Sequence, residues 1–476
     1  MSERVATEAD RAYIASLVSR AREAQKIAAT WDQGRVDEVC VAVGWSVYCD
    51  ENIQKLARLA VDETGMGVYE DKIAKHKNKI MGVLRDIRGA KSVGLIEKDE
   101  AKGIYKYAKP VGVVGALCPV TNPTATPGSN GLSILKGRNA VIFAPHPKAK
   151  KATGLACTFM REALKKVGAP ENLVQWIEEP SLELTTELMR QVDLIVATGG
   201  GPMVKAAYSS GTPAYGVGPG NAVQLLCEDA DVKDAASKIM TSKCFDNATS
   251  CSSENSVVVH RSLWEAFKKE LEAQKGYLCS KNEKEKLKAH LWKEGKGGKL
   301  ALNPAIIAQG AEKIARDAGL SVPPGTRALV VEGTLPVTAD IFFQEKISPV
   351  LTILPCDSFE EGLDLVEQIT DFYGTGHSSG IFTFNWDYIH RMGERMRSSR
   401  IMVRQPMAAG NGGTFYNGMP STVTLGCGTW GGNITTENIH WKHFINVTWL
   451  SVPFEPRRPA DEEIFGAYWS KYGKAP

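Results

Sequence analysis

The sequence lacks the features that would place it in a membrane, in a secretory pathway or on nucleic acid. No stretch reaches the run of about 18 to 20 apolar residues that a spanning helix needs, and the N-terminus has no apolar signal core. The formal net charge of +3 gives no electrostatic argument for nucleic acid or a membrane surface. Ten cysteines include no C-x-x-C pair, so we expect no resident metal and no disulfide framework, and reduced thiols in a cytoplasm.

What is present is the composition of a globular protein of two or three domains. Of the 476 residues, 43% are hydrophobic and 23% are charged. Amphipathic periodicity predicts helices through residues 8–90, and 92–96 with 103–108 predict two strands around a charged turn. Such a two-stranded flap is marginal alone and needs something to pack on.

From residue 110 the chain alternates short apolar strands with helices, which predicts an α/β fold with parallel strands covered on both faces. In the first part, the strands are predicted at 111–117, 139–144, 173–177 and 194–198, and the helices at 129–135, 149–166, 181–191 and 203–209. In the second part, the strands are predicted at 256–260, 328–332, 351–355, 380–384 and 444–452, and the helices at 262–274, 303–317 and 358–370, with a lysine-rich helical excursion at 276–300 and a glycine-rich loop at 405–434.

Cys251 lies among small polar residues, and a β-branched run follows at 257–259. Small neighbours leave a thiol open to substrate, and residues 250–253 suit a helix start, where the dipole favours a thiolate. A thiolate is the form of cysteine that attacks carbonyl carbon. Cys251 is therefore a candidate nucleophile, although an ordinary buried thiol is the commoner fate of cysteine.

Several loops could contact a nucleotide or a reacting group. The Gly-Gly-Gly-Pro run at 199–202 follows a strand and opens a helix, as phosphate loops do, but a plain turn fits it equally well. The glycine-rich run at 215–221 could pass close to a cofactor. Lys148 could meet a 2′-phosphate or face solvent. Asn122 could donate to an oxyanion or form a turn.

Taken together, these stretches resemble the aldehyde dehydrogenase superfamily, specifically its CoA-acylating branch. The resembling segments run in the family's order and lie at 121–124, 136–150, 197–200, 205–211, 216–221, 245–247, 251–254, 345–350, 374–377 and 425–433. The resemblance implies a Rossmann-type coenzyme domain (1–92 and 113–240), an α/β catalytic domain (241–430) and a small β oligomerisation flap (93–112 and 435–456).

The resemblance also implies roles for single residues. Cys251 matches the nucleophile, Asn122 matches the amide that holds the oxyanion with the backbone N–H of Cys251, and Glu345 matches the glutamate on the nicotinamide ribose. The other positions implied beside the coenzyme, NAD or NADP, are Thr121, Pro145, His146, Lys148, Thr198, Gly199, Gly200, Gly216, Val217 and Gly218.

Val217 departs from the wider superfamily in an informative way. Hydrolytic members carry a glutamate at this position as the base that activates water. Without that base, water attack on the thioester should be slow, and the more nucleophilic thiol of coenzyme A can take the acyl group. The residue therefore favours CoA as the acyl acceptor.

The predicted reaction is NAD(P)-dependent oxidation of a short aldehyde to its acyl-CoA. The resemblance favours an aldehyde with a distal acid group, sulfoacetaldehyde or succinate semialdehyde, whose anion Arg404 could bind unless it is a surface arginine. Acetaldehyde oxidation, hydrolysis to a free acid and a non-catalytic coenzyme-binding or shell-associated protein stay open as alternatives. The implied partners are the aldehyde, CoA and further copies in a homodimer or homotetramer.

Overall fold

The computed structural model describes residues 6–295 and 298–475. Its helices are α1 Glu8–Ala29, α2 Gln33–Tyr48, α3 Asp50–Thr64, α4 Tyr69–Ile87, α5 Ala125–Lys136, α6 Lys150–Lys166, α7 Leu182–Gln191, α8 Gly201–Tyr208, α9 Val232–Cys244, α10 Trp264–Ala273, α11 Lys281–Leu291, α12 Ala311–Asp317, α13 Phe359–Phe372, α14 Trp386–Arg395, α15 Met407–Gly410 and α16 Asp461–Tyr472.

The strands of the same residues are β1 Gly94–Asp99, β2 Ile104–Pro110, β3 Val113–Leu117, β4 Ala140–Ala144, β5 Val174–Trp176, β6 Leu194–Thr198, β7 Ala214–Val217, β8 Ala222–Leu226, β9 Glu254–His260, β10 Gly276–Leu278, β11 Trp292–Glu294, β12 Leu300–Leu302, β13 Ala328–Glu332, β14 Val350–Cys356, β15 Ser379–Phe382, β16 Ile401–Val403 and β17 Ile445–Ser451. Apart from the short antiparallel pair β11–β12, they form three sheets.

The first large sheet has the order β5-β4-β3-β6-β7, and every pair in it is parallel. Its central strands are continuous apolar runs, and β3 and β4 are buried along their whole length. Such runs are what a parallel sheet covered on both faces requires. Helices α1, α2, α5 and α6 supply that cover and share one apolar core with the sheet.

The second large sheet has the order β10-β13-β14-β9-β8-β15-β16 and is also parallel. Strands β9 and β14 lie at its centre, with Val258 opposite Leu354. One face packs on α13 and α14, and the other packs on α9 and α10. The two sheets together confirm the predicted α/β fold.

The predicted two-stranded flap gains a third strand. Strand β17 pairs antiparallel with β2, with Val447 opposite Ala108, and completes the sheet β1-β2-β17. The side chain of Trp449 on β17 is 62% exposed, so this sheet keeps a large aromatic side chain in contact with solvent.

Some secondary-structure predictions are wrong. The helix predicted over 303–317 is only α12, because Pro304–Ile306 forms a separate 3-10 turn. The segment 276–300 holds α11 between two short strands, and its residues 296 and 297 lie outside the described residues. The tail after β17 carries the unpredicted helix α16.

The predicted boundary between the coenzyme and catalytic domains lies at residue 240, whereas the boundary between the sheets lies earlier. Strand β8 pairs with β9 and β15 and thus belongs to the second sheet. The domain roles themselves stay predictions. No helix within residues 6–295 and 298–475 combines the length and apolar character needed to cross a membrane.

Candidate active site

The candidate site lies where two sheet edges meet. From the first sheet come loops at the carboxyl ends of parallel strands, including Asn122 after β3 and Gly199 after β6. From the second sheet come loops at the amino ends of parallel strands: Cys251 before β9, Glu345 before β14 and His377 before β15. The two edges touch where the Asn122 amide donates to the carbonyl of Thr249, 3.4 Å away.

Cys251 lies in a turn and not at a helix start, so the expected contribution of a helix dipole is wrong. The chain leaves α9 through a 3-10 turn in which Asp246, Asn247 and Ala248 have φ of 50°, 51° and 59°. The β-branched run that follows then forms β9, since such residues favour strands.

His377 is the nearest polar partner of the candidate nucleophile. Its Nε2 lies 3.2 Å from the Sγ of Cys251, and its Nδ1 lies 2.8 Å from the Oγ of Ser378. The guanidinium of Arg400 donates to the His377 carbonyl over 2.8 Å. With the ring proton on Nδ1, donated to Ser378, the Nε2 lone pair faces the thiol.

Burial keeps both groups neutral. It raises the pKa of the Cys251 thiol to about 12, with the Glu345 charge adding to the rise and the Arg400 charge opposing it. Burial and the Arg400 charge lower the pKa of His377 to about 3. A neutral imidazole at hydrogen-bond distance can take the thiol proton when the nucleophile attacks.

Glycines let the loops approach this closely. A Cβ on Gly220 would lie 2.1 Å from the Cys251 carbonyl oxygen, and a Cβ on Gly376 would lie 2.1 Å from that of Cys427. Real side chains do not tolerate such distances. The glycine-rich segments before β8 and before β15 are therefore what seats Cys251 beside His377.

Asn122 is oriented by a lysine of α4. The ammonium of Lys75 donates to the Asn122 Oδ1 over 3.1 Å and pairs with Asp246 over 2.5 Å. It also donates to the hydroxyl of Thr249. Because Lys75 occupies the amide oxygen, the amide N–H groups of Asn122 are turned toward the Cys251 turn. This is the orientation that an oxyanion donor needs.

Asp246 fastens this arrangement to the start of α4. Its fully buried carboxylate accepts from the backbone N–H of Val68 over 2.8 Å and pairs with Lys72 over 3.3 Å. Burial alone would raise its pKa, but Lys75 and Lys72 hold that pKa below its ordinary value. A Cβ on Gly67 would lie 2.0 Å from this carboxylate.

Glu345 shares a small cavity with the thiol, lined among others by Lys243, Ser250, Cys251, Asn255, Glu345 and Ile347. Burial raises the pKa of Glu345 to about 8, against a backbone hydrogen bond from Gly220. Among the described residues its Oε1 has no hydrogen-bond partner. A buried carboxylate oxygen left without a donor fits a ligand hydroxyl.

The loops predicted to hold a coenzyme lie on the first sheet's carboxyl edge. A Cβ on Gly201 would meet nothing within 4 Å, and Cβ atoms on Gly199 and Gly200 would make only ordinary contacts with the first turn of α8, so the start of α8 is open. The Thr198 hydroxyl lies 2.9 Å from that of Thr424. An open, glycine-rich helix start fits a phosphate.

The other predicted coenzyme residues lie on the same edge. Pro145 directly follows β4, the His146 ring accepts from the backbone N–H of Lys148 over 3.1 Å, and Lys148 is exposed. Thr121 precedes Asn122 and accepts on its hydroxyl from the Asn122 amide.

Gly216, Val217 and Gly218 lie at the end of β7. Val217 pairs with Thr198 and is 3% exposed, so this position holds a buried apolar side chain that cannot act as a base. The N–H of Gly218 donates to Asn433 over 3.3 Å, which ties this strand end to the loop after Cys427.

Glu254, which the sequence alone suggests is an acid at a helix start, is instead the first residue of β9. It is fully buried and accepts from the backbone N–H of Met407 over 2.8 Å. Burial raises its pKa to about 7.

Arg404 is not brought to the thiol, which corrects its predicted role. It follows β16, at the carboxyl edge of the second sheet, whereas Cys251 lies at the amino edge. Its guanidinium donates to the Thr383 carbonyl and stacks on Phe384.

A possible metal-ligand group lies elsewhere. Ligand atoms of Glu437, His440 and His443 lie within 4.8 Å of one another, and the Glu437–His443 pair, 3.2 Å apart, is an ion pair when His443 is protonated. The expectation of no resident metal stays a prediction.

Sequence reasoning missed His377 and Lys75. His377 lies in the resembling segment at 374–377, and its position before a predicted strand is the signal that could have identified it. Lys75 sits in a helix with four lysines, where nothing local distinguishes an inward from an outward one.

The aldehyde dehydrogenase family model matches residues 4–424. The chain is 62% identical over 455 residues to a sulfoacetaldehyde dehydrogenase of Acholeplasma sp, covering 96% of this chain and 94% of that one. It is 57% identical to the sulfoacetaldehyde dehydrogenase (acylating) of Bilophila wadsworthia, covering 95% and 98%. A succinate-semialdehyde dehydrogenase (acetylating) of Clostridium kluyveri is 41% identical, covering 95% and 99%.

Solved structures give the same fold. The acetylating aldehyde dehydrogenase of Geobacillus thermoglucosidasius matches with a TM-score of 0.90 and 34% identity, covering 95% of this chain and 98% of that one. A Rhodopseudomonas palustris propionaldehyde dehydrogenase, solved with bound CoA and an acylated cysteine, matches with a TM-score of 0.82 and 25% identity, covering 92% and 97%.

Proposed function

The chain belongs to the aldehyde dehydrogenase family, and we propose that it oxidises sulfoacetaldehyde to its acyl-CoA thioester. The resemblance to the CoA-acylating branch is confirmed. The enzyme is an NAD(P)-dependent, CoA-acylating oxidoreductase that acts on aldehydes. The identity of the aldehyde and the roles of the residues below are our proposals.

One observation carries the assignment of the chemistry: the thiol of Cys251 lies 3.2 Å from a neutral imidazole, at the edge that also receives the Asn122 amide. Nucleophile, base and oxyanion donor thus come from three different loops. A structural cysteine requires none of these partners.

In the first half-reaction, Cys251 gives its proton to His377 as sulfur attacks the aldehyde carbon. The carbonyl oxygen becomes an oxyanion held by the Asn122 amide and the backbone N–H of Cys251. Lys75 keeps the amide facing this oxygen. Collapse of the oxyanion then expels hydride and leaves an acyl group on the sulfur.

The residues present fit the coenzyme. The open glycines at 199–201 would receive its phosphates, and the unsatisfied Oε1 of Glu345 would accept from its nicotinamide ribose. When bound, the oxidised nicotinamide supplies the hydride acceptor. The protein's part is to orient the thiol and to exclude water.

In the second half-reaction the acyl group passes to CoA. Val217 offers no base to water, so the thioester persists until a stronger nucleophile arrives. His377, after releasing its first proton to solvent, is placed to take the proton from the CoA thiol as it attacks and to return it to the departing sulfur, which restores the Cys251 thiol.

The relatives favour sulfoacetaldehyde over succinate semialdehyde as the substrate. The relatives at 62% and 57% identity are named sulfoacetaldehyde dehydrogenases, whereas the one named a succinate-semialdehyde dehydrogenase is 41% identical. Both substrates are short aldehydes with a distal anion. Acetaldehyde is the neutral alternative.

A kinetic panel tests the proposal. Sulfoacetaldehyde, succinate semialdehyde and acetaldehyde are each assayed for NAD(P)H formation with CoA, using either coenzyme. We expect the highest kcat/KM with sulfoacetaldehyde. A preference for acetaldehyde would overturn the substrate while leaving the acylating chemistry intact.

We also propose the finer points that follow from family membership. Residues 1–92 with 113–240 bind the coenzyme, 241–430 carry catalysis, and the flap at 93–112 with 435–456 joins copies into a homodimer or homotetramer in the cytoplasm. The exposed Trp449 on the flap supports its use as a contact surface.

A further inference from the structure

Helix α4 turns a row of lysines toward the candidate site. Lys72, Lys75 and Lys79 are spaced three and four residues apart, which places them on one face of the helix. Lys72 and Lys75 share the carboxylate of Asp246, and Lys77, on another face, pairs with Asp50 over 2.5 Å.

Lys79 differs from these neighbours because, among the described residues, it has no carboxylate within salt-bridge distance. Its ammonium donates to a single group, the carbonyl of Gly412, over 2.7 Å. Asp86 acts on it from further away, but that carboxylate is held by Arg85 and by the N–H of Ser421. Two of its three N–H bonds are left for another acceptor.

Lys79 lies on the face of α4 that contacts Asn122 and Thr249 through Lys75. The Cys251 charge acts on it, and it follows Lys75, which touches Asn122, by one turn of helix, or about 6 Å of rise. The glycine-rich loop after α15 closes the other side, and Gly412 lies so near that a Cβ there would be 2.4 Å from the ammonium.

We propose that Lys79 binds the sulfonate of the aldehyde substrate, and this inference rests on the proposed function. A two-carbon aldehyde bound to Cys251 carries its anion next to the reacting carbon. The cation that binds this anion must therefore lie beside the thiol. The Lys79 ammonium lies between α4 and the glycine-rich loop, where it contacts Gly412.

Two other cations near the thiol are already occupied. Lys75 holds Asn122 and Asp246, and Arg400 holds the carbonyl of His377. Lys243 lines the small cavity that Cys251 shares with Glu345, and the Glu254 and Glu345 charges act on it. Burial lowers the pKa of Lys79 to about 8, so the group still carries its charge at neutral pH.

The test compares Lys79→Met, Lys79→Arg and the control Lys77→Met, which removes a more exposed lysine of the same helix. Each is assayed with sulfoacetaldehyde and with acetaldehyde. We expect Lys79→Met to lower kcat/KM for sulfoacetaldehyde about 30- to 100-fold, the loss of a charge-assisted hydrogen bond, and to change acetaldehyde less than about threefold. Lys79→Arg should restore most of the loss.

A second measurement tests binding of the sulfonate without its oxidation. Ethanesulfonate lacks a carbonyl group and should inhibit acetaldehyde oxidation competitively in the natural protein and in Lys77→Met, but not in Lys79→Met. Equal losses for both aldehydes in Lys79→Met would overturn the assignment, as would unchanged use of sulfoacetaldehyde. If the natural protein neither uses sulfoacetaldehyde nor binds ethanesulfonate, the proposed substrate fails instead, and the inference with it.

Discussion

The two parallel sheets present opposite edges to the site. The first sheet contributes loops that follow strands, such as those of Asn122 and Gly199, and the second contributes loops that precede strands, such as those of Cys251 and His377. The first edge is open and rich in glycine at 199–201, whereas the second is packed and buried.

Because they differ in openness and burial, the two edges suit different functions. An open edge with a helix start suits a ligand that arrives from solvent, as a dinucleotide does. A packed edge holds a nucleophile and a base at fixed distance and keeps both neutral through burial. We infer that the first edge binds the coenzyme phosphates and supplies the oxyanion donor, whereas the second edge holds the nucleophile and its base.

The largest expected effect lies on the packed edge. Cys251→Ala removes the nucleophile, and we expect aldehyde-dependent NAD(P)H formation to fall by at least about four orders of magnitude. Coenzyme binding, followed by quenching of protein fluorescence, should persist because the open edge is untouched. Cys244→Ala, whose thiol lies near Arg327, is the control and should stay active. Turnover by Cys251→Ala at close to the rate of the natural protein would contradict the assignment of Cys251 as the nucleophile.

Next in size is His377→Ala on the same edge. Loss of a general base costs about 100- to 10,000-fold, and we expect a loss in that range for both acylation and transfer to CoA. Single-turnover kinetics separate the two steps. His390→Ala changes an exposed histidine of α14 and should leave both rates unchanged. A loss confined to protein stability would show that His377 only packs against the sulfur.

Lys75→Met tests whether the two edges are coupled. With the lysine gone, the Asn122 amide loses its fixed orientation, and we expect kcat to fall about 10- to 100-fold, less than removal of the oxyanion donor itself would cost. In an Asn122→Ala background the same change should cost little, since the residue through which it acts is absent. Additive losses in the double variant would contradict this positioning role.

The smallest effect concerns stability and Glu254. Burial raises the folded-state pKa of this group to about 7, above the ordinary value of 4.5. The contribution of this carboxyl group to the free energy of unfolding is therefore fully present below about pH 4.5 and is lost as the pH rises through 7. The Tm should therefore fall between pH 5 and 8, and we expect Glu254→Gln to make this fall smaller. In a domain of this size, each kcal/mol of unfolding free energy changes Tm by about 2–4 °C. An unchanged pH profile would show that the carboxyl does not titrate there.

The sequence was sufficient for the first edge and much less so for the second. Alternating strands and helices predicted the first sheet, the rule that ligands bind at carboxyl ends led to Asn122, and the glycine-rich helix start led to Gly199. Charge alone pointed to Arg404, which follows β16 at the far edge of the second sheet. None of these arguments gave a reason to choose His377, because the relative placement of the two sheets is set by packing between distant segments.

Local pattern also misjudged the surroundings of Cys251. Serines beside the thiol suited a helix start, yet the left-handed turn at Asp246 is set by contacts with Val68 and Lys72 on α4, more than 170 residues earlier in the chain. Such a contact leaves no periodic signal. Local pattern made Cys251 a candidate nucleophile beside the alternative of a buried thiol, and the resemblance of many ordered motifs favoured the nucleophile.

The central claim is that Cys251 carries the acyl group until CoA removes it. Rapid mixing with sulfoacetaldehyde and oxidised coenzyme in the absence of CoA should give one burst of NAD(P)H per subunit and then stop, with the added mass on the peptide that contains Cys251. Addition of CoA should release that mass as acyl-CoA and restart turnover. Sustained NAD(P)H formation without CoA, or acylation of another residue, would contradict the account.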